Sequence, residues 1–299
     1  MKIGQTIKER GSSLSFEFFP HGDKVEEDRL IKNISRLGAL NPTFVSVTDS
    51  ASSDTIKNTR QVVLRIQHET SLVPMPHLTC INQNRDELKA ILEDYKRLGI
   101  ENLLALRGDL PEGVEKFTPS KGCFCHARDL VQLAASLSAF SVGIAVYPEG
   151  HCESPNLEID MYHTKQKIDA GADFAITQMF FDNRYFYDFL ERSTKLGIKI
   201  PIIPGIMPIT NIRNIIKFSK KCGATIPERI IQRFERFGTT TEEARKVGIE
   251  VATEQCADLL KNGIHYLHFF TLNQGDIIFQ IVGNLSLQNQ EPKRFESLV

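Results

Sequence analysis

The sequence predicts an α/β protein that folds as a single (β/α)8 barrel, or TIM barrel, with extra helices between strands 7 and 8. Two observations lead to this fold class. Short runs rich in β-branched and aromatic residues recur about every 30 residues, and segments with helical spacing of apolar residues follow them. In addition, no G-x-G-x-x-G motif follows the first run and no G-x-x-x-x-G-K-[ST] motif occurs, which favours a closed barrel over an open, doubly wound sheet.

Eight runs are predicted to be the strands of this barrel. They are Leu14–Phe19, Phe44–Thr48, Met75–Leu78, Asn102–Ala105, Val142–Tyr147, Phe174–Gln178, Ile202–Gly205 and Tyr266–Leu272. The interval between the last two runs is about twice the others, so we expect Ala224–Asn262 to contain the extra helices. Glu112–Gly122, which is rich in Pro, Gly and Lys, is predicted to be one long loop.

The segments between the strands carry apolar residues on one helical face and charged residues on the other. A glycine follows several of these helices just before the next strand, where a left-handed C-cap favours glycine. These predicted caps are Gly38, Gly99, Gly171 and Gly197.

The composition is that of a globular, enzyme-sized chain: 299 residues, 41% hydrophobic and 24% charged, with a formal net charge of −1. We expect one catalytic domain over residues 1–299 and no regulatory domain. The balance of 36 basic and 37 acidic residues argues against nucleic-acid and membrane partners. Met1–Ser13 lacks the apolar stretch of a signal peptide and predicts a polar lead-in helix or tail. We therefore expect a cytoplasmic protein whose six cysteines are free thiols.

Polar residues at the carboxyl ends of barrel strands are the first candidates for an active site. Glu17 is the sharpest of them, because three phenylalanines surround this carboxylate in the first strand. Burial is expected to raise its pKa and to suit Glu17 to general acid catalysis near neutral pH. The alternative is a structural carboxylate paired with a buried Arg or Lys.

Other strand ends offer groups that bind anions. Arg107-Gly108-Asp109 combines a guanidinium, a glycine that permits close backbone approach and a carboxylate, although an ordinary ion pair on a loop is the alternative. His77 is either a ligand contact or a half-buried histidine. Asp160 and Lys167 would by default belong to a solvated helix face. No metal-ligand spacing occurs, so no metal is expected.

Nine segments in order resemble the bacterial methylenetetrahydrofolate reductases. They are Ser15–Pro20, Phe44–Thr48, Pro76–Cys80, Ala105–Asp109, Tyr147–Glu149, Asp169–Ala172, Ile176–Gln178, Ile203–Ile206 and Phe270–Asn273. The resemblance covers nearly the whole chain. It implies a (β/α)8 barrel that binds FAD non-covalently and uses NADH or NADPH to reduce 5,10-methylenetetrahydrofolate to 5-methyltetrahydrofolate by a ping-pong hydride transfer through flavin N5. It also implies a homo-oligomer.

The resemblance assigns roles residue by residue. Glu17 becomes the general acid that helps open the five-membered ring of the folate, and Asp109 lies between flavin and pterin. The positions that match FAD contacts are Thr48, Ala51, His77, Arg107, Gly108, Asp109, Ala127, Tyr147, His151, Asp160, Lys167 and Ala172. The positions that match substrate contacts are Gln178, Asn214, Phe218 and Gln274.

Two segments depart from the family pattern. Phe270 and Gln274 stand where the family has tyrosine and arginine, and Asp49-Ser50 replaces Tyr-Gly. These departures motivate an alternative from another class, a flavoprotein subunit that receives electrons from a partner protein. A third hypothesis is a barrel enzyme that acts on a phosphorylated metabolite without flavin.

Overall fold

Parallel strands form a ring at the centre of the computed structural model, which describes residues 1–20, 22–49, 53–81, 83–109, 122–237 and 241–285. The strands are β1 (Ser13–Phe18), β2 (Phe44–Val47), β3 (Pro74–Thr79), β4 (Asn102–Leu106), β5 (Ser141–Val146), β6 (Phe174–Thr177), β7 (Ile202–Ile203), β8 (Gly205–Ile206) and β9 (Tyr266–Phe270). The helices are α1 (Ile3–Arg10), α2 (Lys24–Leu37), α3 (Ser53–Glu69), α4 (Arg85–Arg97), α5 (Ala127–Ser136), α6 (Leu157–Asp169), α7 (Asn183–Lys195), α8 (Ile212–Cys222), α9 (Glu228–Glu235), α10 (Glu242–Lys261) and α11 (Gly275–Asn284).

The ring closes through a seventh strand that is divided in two. β7 pairs with β6, β8 pairs with β9, and β9 pairs with β1, all in parallel. Pro204 separates β7 from β8 because it has no N–H for the ladder, yet its carbonyl oxygen accepts a hydrogen bond from His268 N at 3.0 Å. The predicted α/β barrel is confirmed, with each predicted strand within two residues of its observed bounds, but the single seventh strand was wrong.

Helix α1 covers the amino end of the barrel. Ile3 and Ile7 are fully buried against residues of the barrel interior that include Phe44 and Phe174. Burying such side chains stabilises the fold by about 1.5–3 kcal/mol each. The predicted polar lead-in is therefore corrected, because one face of α1 is apolar core. Ligands must enter at the opposite, carboxyl end.

The predicted extra helices are α9 and α10, both within Ala224–Asn262. With α8 they enclose a second core that includes Met207, Ile212 and Phe234. α10 approaches the main chain so closely that a Cβ on Gly248 would lie 1.9 Å from the carbonyl oxygen of Ile209. This packing fixes α8 at the rim of the barrel mouth.

The glycine caps were predicted correctly in three cases. Gly99, Gly171 and Gly197 have φ of 75°, 117° and 67°. Gly38 was wrong: its φ is −55° because a 3-10 turn continues to Leu40, and Asn41 takes the left-handed conformation instead. The loop predicted at Glu112–Gly122 lies outside the described residues except for Gly122.

No helix within the described ranges is long and apolar enough to cross a membrane.

Candidate active site

A carboxylate and two imidazoles meet inside the barrel at its carboxyl end. Glu17 pairs in register with Ser46 of β2 and Phe270 of β9. Its Oε2 atom lies 3.5 Å from His77 Nε2 and 3.6 Å from His268 Nε2. His268 is fully buried, whereas 19% of the Glu17 side chain is exposed at the mouth. We call Glu17, His77 and His268 the carboxylate–imidazole trio.

The pKa of Glu17 is lowered, which corrects the prediction. Burial raises it, but the imidazoles of His268 and His77 together outweigh burial. Strand alternation explains the error, because the buried Phe16 and Phe18 belong to the core between strands and helices while Glu17 faces the barrel axis. The alternative of a buried Arg or Lys partner was also wrong, since the partners are histidines. Glu17 is therefore ionised at neutral pH in this state.

Sequence reasoning missed His268. Its Nδ1 lies 2.9 Å from Ser15 Oγ, and its ring stacks on Phe44 at 5.9 Å between centroids. Nε2 of His268 and Nε2 of His77 have no hydrogen-bond partner among the described residues. Burial lowers the pKa of His77 in spite of Glu17 nearby. The signal in the sequence that could have found His268 was its spacing, because His268 and Phe270 are two residues apart and share the inward face of β9.

A cleft of about 470 Å³ lies beside the trio, between the carboxyl ends of β4 and β5 and the helices α5 and α6. It brings together six of the predicted cofactor residues. They are Arg107, Ala127, Tyr147, His151, Asp160 and Lys167. His126 and His163 add two further imidazoles to its wall.

The charged groups of the cleft are held by specific partners. Arg107 makes a bidentate pair with Glu153 at 2.5 and 2.7 Å, which raises the pKa of Arg107. Lys167 Nζ donates to the carbonyl oxygen of Ala145 at 2.5 Å, and burial lowers its pKa to about 8. Asp160 is 5% exposed and accepts a hydrogen bond from Ser154 Oγ. The expected solvated face is therefore corrected, because Asp160 and Lys167 are both wall residues of the cleft.

Tyr147 and His151 form an edge-to-face pair at 4.7 Å in the same wall. Burial, with a smaller contribution from Asp160, raises the pKa of Tyr147. Burial, followed by the charge of Arg107, lowers the pKa of His151. Both rings are neutral near pH 7 and offer hydrogen bonds without charge.

The predicted cofactor residue Thr48 and the family-pattern departure Asp49 follow β2, next to the trio. The main-chain oxygen of Thr48 accepts from Thr59 Oγ1 at 2.7 Å. Asp49, where the family pattern has tyrosine, accepts from Thr79 Oγ1 at 3.1 Å.

Gly108 and Asp109 follow the fourth strand. Gly108 has a φ of +95°, and a Cβ there would lie 2.8 Å from Ile81 Cγ2, so this position requires glycine. The exposed Asp109 lies 3.6 Å from Lys221 Nζ.

Ala172 is not brought to the cleft. It is 8% exposed and packs in the core between α6 and the start of β6, at the amino end of the barrel. Ala51 lies outside the described residues.

The predicted substrate residues lie around the mouth. Gln178 follows β6, and its Oε1 accepts from Met179 N at 2.9 Å. Asn214 and Phe218 are one turn apart on α8, and Phe218 is 43% exposed. Gln274 is exposed at the start of α11. The described ranges contain no group of three or more His, Cys, Asp or Glu that could hold a metal ion.

The fold and the site are those of a (β/α)8-barrel enzyme, with an acid–base centre inside the barrel and a cationic cleft beside it. The model of the family described as methylenetetrahydrofolate reductase matches residues 2–286. The chain belongs to this family of oxidoreductases.

Several relatives support the assignment. The 5,10-methylenetetrahydrofolate reductases of Salmonella typhimurium and Escherichia coli are each 38% identical over 276 residues, which is 92% of this chain and 91% of theirs. The methylenetetrahydrofolate reductase (NADH) 1 of Arabidopsis thaliana is 35% identical over 297 residues, 96% of this chain but 50% of that protein.

Solved structures show the same fold at low identity. A Clostridium thermocellum protein, described as binding two copies of 5-methyl-5,6,7,8-tetrahydrofolic acid, has a TM-score of 0.64 at 15% identity, covering 96% of this chain and 99% of that one. A 2,3-dimethylmalate lyase has a TM-score of 0.52 at 10% identity, covering 93% and 84%. At these identities the likeness concerns the fold alone.

Proposed function

We propose that this protein reduces 5,10-methylenetetrahydrofolate to 5-methyltetrahydrofolate, with FAD as a non-covalent cofactor and NADH or NADPH as the electron donor. The observation that carries the proposal is the Glu17 carboxylate, which sits at the mouth of a barrel closed at its other end, next to a cationic cleft. Membership of the reductase family, with bacterial relatives of that name at 38% identity, supports it.

The cleft has the donor set for an anionic dinucleotide. Among the described residues, Lys167 makes one hydrogen bond, to Ala145, so two of its three N–H donors are available. Arg107 is paired with the exposed Glu153, and a bound phosphate would compete with that carboxylate for the guanidinium. We assign Arg107 and Lys167 to the phosphates and Asp160 to a sugar hydroxyl. Bound there, FAD would supply the hydride acceptor and donor of the reaction.

Because the free carboxylate is ionised, Glu17 is proposed to take up a proton when bound folate completes its burial and raises its pKa, and then to deliver that proton to the folate nitrogen that leaves when the five-membered ring opens. A positioned carboxyl group accelerates such a step by about 10²–10⁴-fold. His268 is proposed as a positioning residue for Glu17, because Ser15 fixes Nδ1 of His268 and leaves Nε2 directed towards the carboxylate. His77 holds the same oxygen from the other side.

The two substrates are proposed to use one mouth in turn. The exposed ring of Phe218 offers an apolar surface on which a flat ring, either nicotinamide or pterin, can stack. Asn214, one turn before Phe218 on α8, and Gln178, which follows β6, add amide groups at the mouth. Because both substrates need the same surface, the first product must leave before the folate binds, which is a ping-pong order.

The direct test is anaerobic turnover with product detection. Purified protein is mixed with NADH or NADPH and 5,10-methylenetetrahydrofolate, and the folates are separated and identified by mass. We expect 5-methyltetrahydrofolate to form with NADH, with NADPH or with both. A protein that contains FAD but is reduced by neither nucleotide would instead favour the alternative, an electron-transfer partner protein. A colourless protein with no FAD would favour the flavin-free barrel enzyme.

A further inference from the structure

The loop that follows β5 packs against the carboxyl end of α8. Both side-chain oxygens of Glu149 accept from Thr225 N at 3.1 Å. Gly223 is the left-handed C-cap of α8, with a φ of 74°. A Cβ on Gly223 would lie 3.5 Å from the carbonyl oxygen of Gly150 and 3.8 Å from the Cβ of Cys152. We call this the loop–helix contact, and its residues are 149–152 and 222–225.

The loop–helix contact brings two free thiols close to one another. Of the six cysteines, all within the described ranges, Cys152 on the loop is the exposed one. Cys222 is partly buried and is the last residue of α8, directly before Gly223. Consecutive Cα atoms are about 3.8 Å apart, so Cys222 is one residue away from the atoms that Cys152 contacts. Burial raises the pKa of the Cys222 thiol to about 11, and the charges of Asp109 and Cys152 add to this rise.

Each of the two cysteines belongs to a segment that carries residues of the candidate site. Cys152 lies between His151 and Glu153, both of which line the cleft. Cys222 is one helical turn after the exposed Phe218 on α8. A covalent bond between the two sulfur atoms would therefore join the wall of the cleft to the helix at the rim of the mouth.

The bond would also move the end of α8. A disulfide requires a Cβ–Cβ distance of about 3.5–4.5 Å. The Cβ position that meets this requirement opposite Cys152 is the one on Gly223, at 3.8 Å. Forming the bond from Cys222 must therefore draw the last turn of the helix towards the loop. Phe218, on the preceding turn, would be displaced with it.

We propose that Cys152 and Cys222 form a modification site, which hydrogen peroxide converts into a disulfide that locks the loop–helix contact and slows turnover. Disulfides that form transiently in reducing compartments are usually catalytic or redox-sensing. The oxidation itself goes beyond the proposed function, and only its effect on turnover rests on that function. A dithiol reductant reverses the change.

The oxidation balances in two steps. The exposed Cys152 sulfur attacks one oxygen of the peroxide, which breaks the O–O bond, gives a sulfenic acid and releases one water. The Cys222 sulfur then attacks the sulfenic sulfur, which forms the S–S bond and releases a second water. Two thiols and one peroxide thus become one disulfide and two waters. The thiols lose two electrons, and the peroxide gains them.

The test maps the disulfide directly in the purified full-length protein. Hydrogen peroxide is added, remaining thiols are blocked with iodoacetamide, and tryptic peptides are identified by mass. Trypsin places Cys152 in peptide 129–165 and Cys222 in peptide 222–229, and neither contains another cysteine. We expect these two peptides to be linked, and the link to disappear with dithiothreitol. Cys222→Ser should abolish the link, and the matched control Cys123→Ser should keep it.

Turnover is measured on the same samples. Oxidation should slow folate reduction by the wild type roughly 10- to 100-fold, because a displacement of about 1 Å costs up to about 10²-fold. Dithiothreitol should restore the rate, and Cys222→Ser should resist peroxide.

Two outcomes overturn the inference while leaving the function intact. The first is that no linked peptide forms, or that Cys152 is linked to a different cysteine. The second is a linked protein that turns over at the unoxidised rate. If the reduced wild type does not turn over folate at all, the proposed function fails, and the linked peptide alone decides whether Cys152 and Cys222 are a modification site.

Discussion

The carboxylate–imidazole trio and the neighbouring cleft are built on different physical principles. In the trio, strands carry all three side chains, and the buried imidazoles of His77 and His268 converge on one oxygen of Glu17. In the cleft, much of the wall comes from α6 and loops, and Arg107 is paired with the exposed Glu153. The barrel interior therefore fixes the position and charge of one carboxylate. The cleft instead places the cations of Arg107 and Lys167 in the wall of an open cavity.

The largest expected effect separates the two regions at Glu17. Glu17→Gln keeps the size of the side chain but cannot deliver a carboxyl proton. The folate half-reaction should slow by about 10²–10⁴-fold, while reduction of the flavin by the nicotinamide continues. Stopped-flow absorbance of each half-reaction checks this. Glu93→Gln, an exposed change on α4, is the control. Equal loss of both half-reactions would show that Glu17 is not the general acid.

The next largest effect belongs to the cleft. Lys167→Met removes a cation that destabilises the unliganded protein, since burial lowers the pKa of Lys167 to about 8. FAD affinity should fall roughly tenfold or more, the effect of a lost charged hydrogen bond. The free energy of unfolding of the FAD-free protein should rise by about 1–3 kcal/mol at pH 7. Flavin release and thermal unfolding of the apoprotein measure the two effects.

The pH dependence of the apoprotein gives the sign of the Lys167 effect. The folded pKa of about 8 lies below the ordinary value of 10.5. Between these values the unfolded chain binds more protons, so the contribution of Lys167 to stability rises with pH. Below pH 8 the charged Lys167 destabilises the folded apoprotein to the full extent. Lys167→Met should abolish the contribution of this group to the pH dependence of the free energy of unfolding. A variant that is less stable than the wild type at pH 7 would contradict the assignment.

A smaller effect tests the trio through His268. Without the imidazole, burial dominates and the pKa of Glu17 rises. For His268→Asn, the fall of the folate half-reaction with increasing pH should therefore move to higher pH. The maximal rate should drop about tenfold because the carboxylate is less well held. His68→Asn, an exposed change on α3, should have no such effect. If the pH profile of the folate half-reaction is the same in the variant and the wild type, His268 has only a packing role.

The last expected effect, mainly on stability, lies at the boundary between the two regions. In Gly108→Ala, the added Cβ meets Ile81 at 2.8 Å at a φ of +95°. The expected loss is about 1–3 kcal/mol in the free energy of unfolding. Flavin affinity should fall with it, because Arg107 is the adjacent residue. Denaturant unfolding measures the loss, and a variant as stable as the wild type would show that the turn relaxes freely.

Much of the fold was predictable because it depends on local patterns. The spacing of runs such as Phe44–Thr48 identified the strands, and the long interval at Ala224–Asn262 identified the extra helices. The division of the seventh strand and the burial of one face of α1 were not predicted, because both depend on tertiary packing.

The candidate site was predictable in position but less so in electrostatics. Strand ends located Glu17 and Arg107, yet the direction of the Glu17 pKa depended on His268, which is 251 residues away in sequence. The contact between Glu17 and His268 arises only because β1 and β9 pair when the barrel closes. Such convergence has no signature in a single sequence.

The most direct test of the central claim is a single-turnover cycle followed by absorbance under anaerobic conditions. The purified protein is expected to be yellow, to lose its colour when one equivalent of NADH or NADPH is added, and to regain it when 5,10-methylenetetrahydrofolate follows. Recovery of the flavin spectrum together with one equivalent of 5-methyltetrahydrofolate would establish that the trio and the cleft act in one reaction. A reduced flavin that stays colourless after the folate is added would contradict the account.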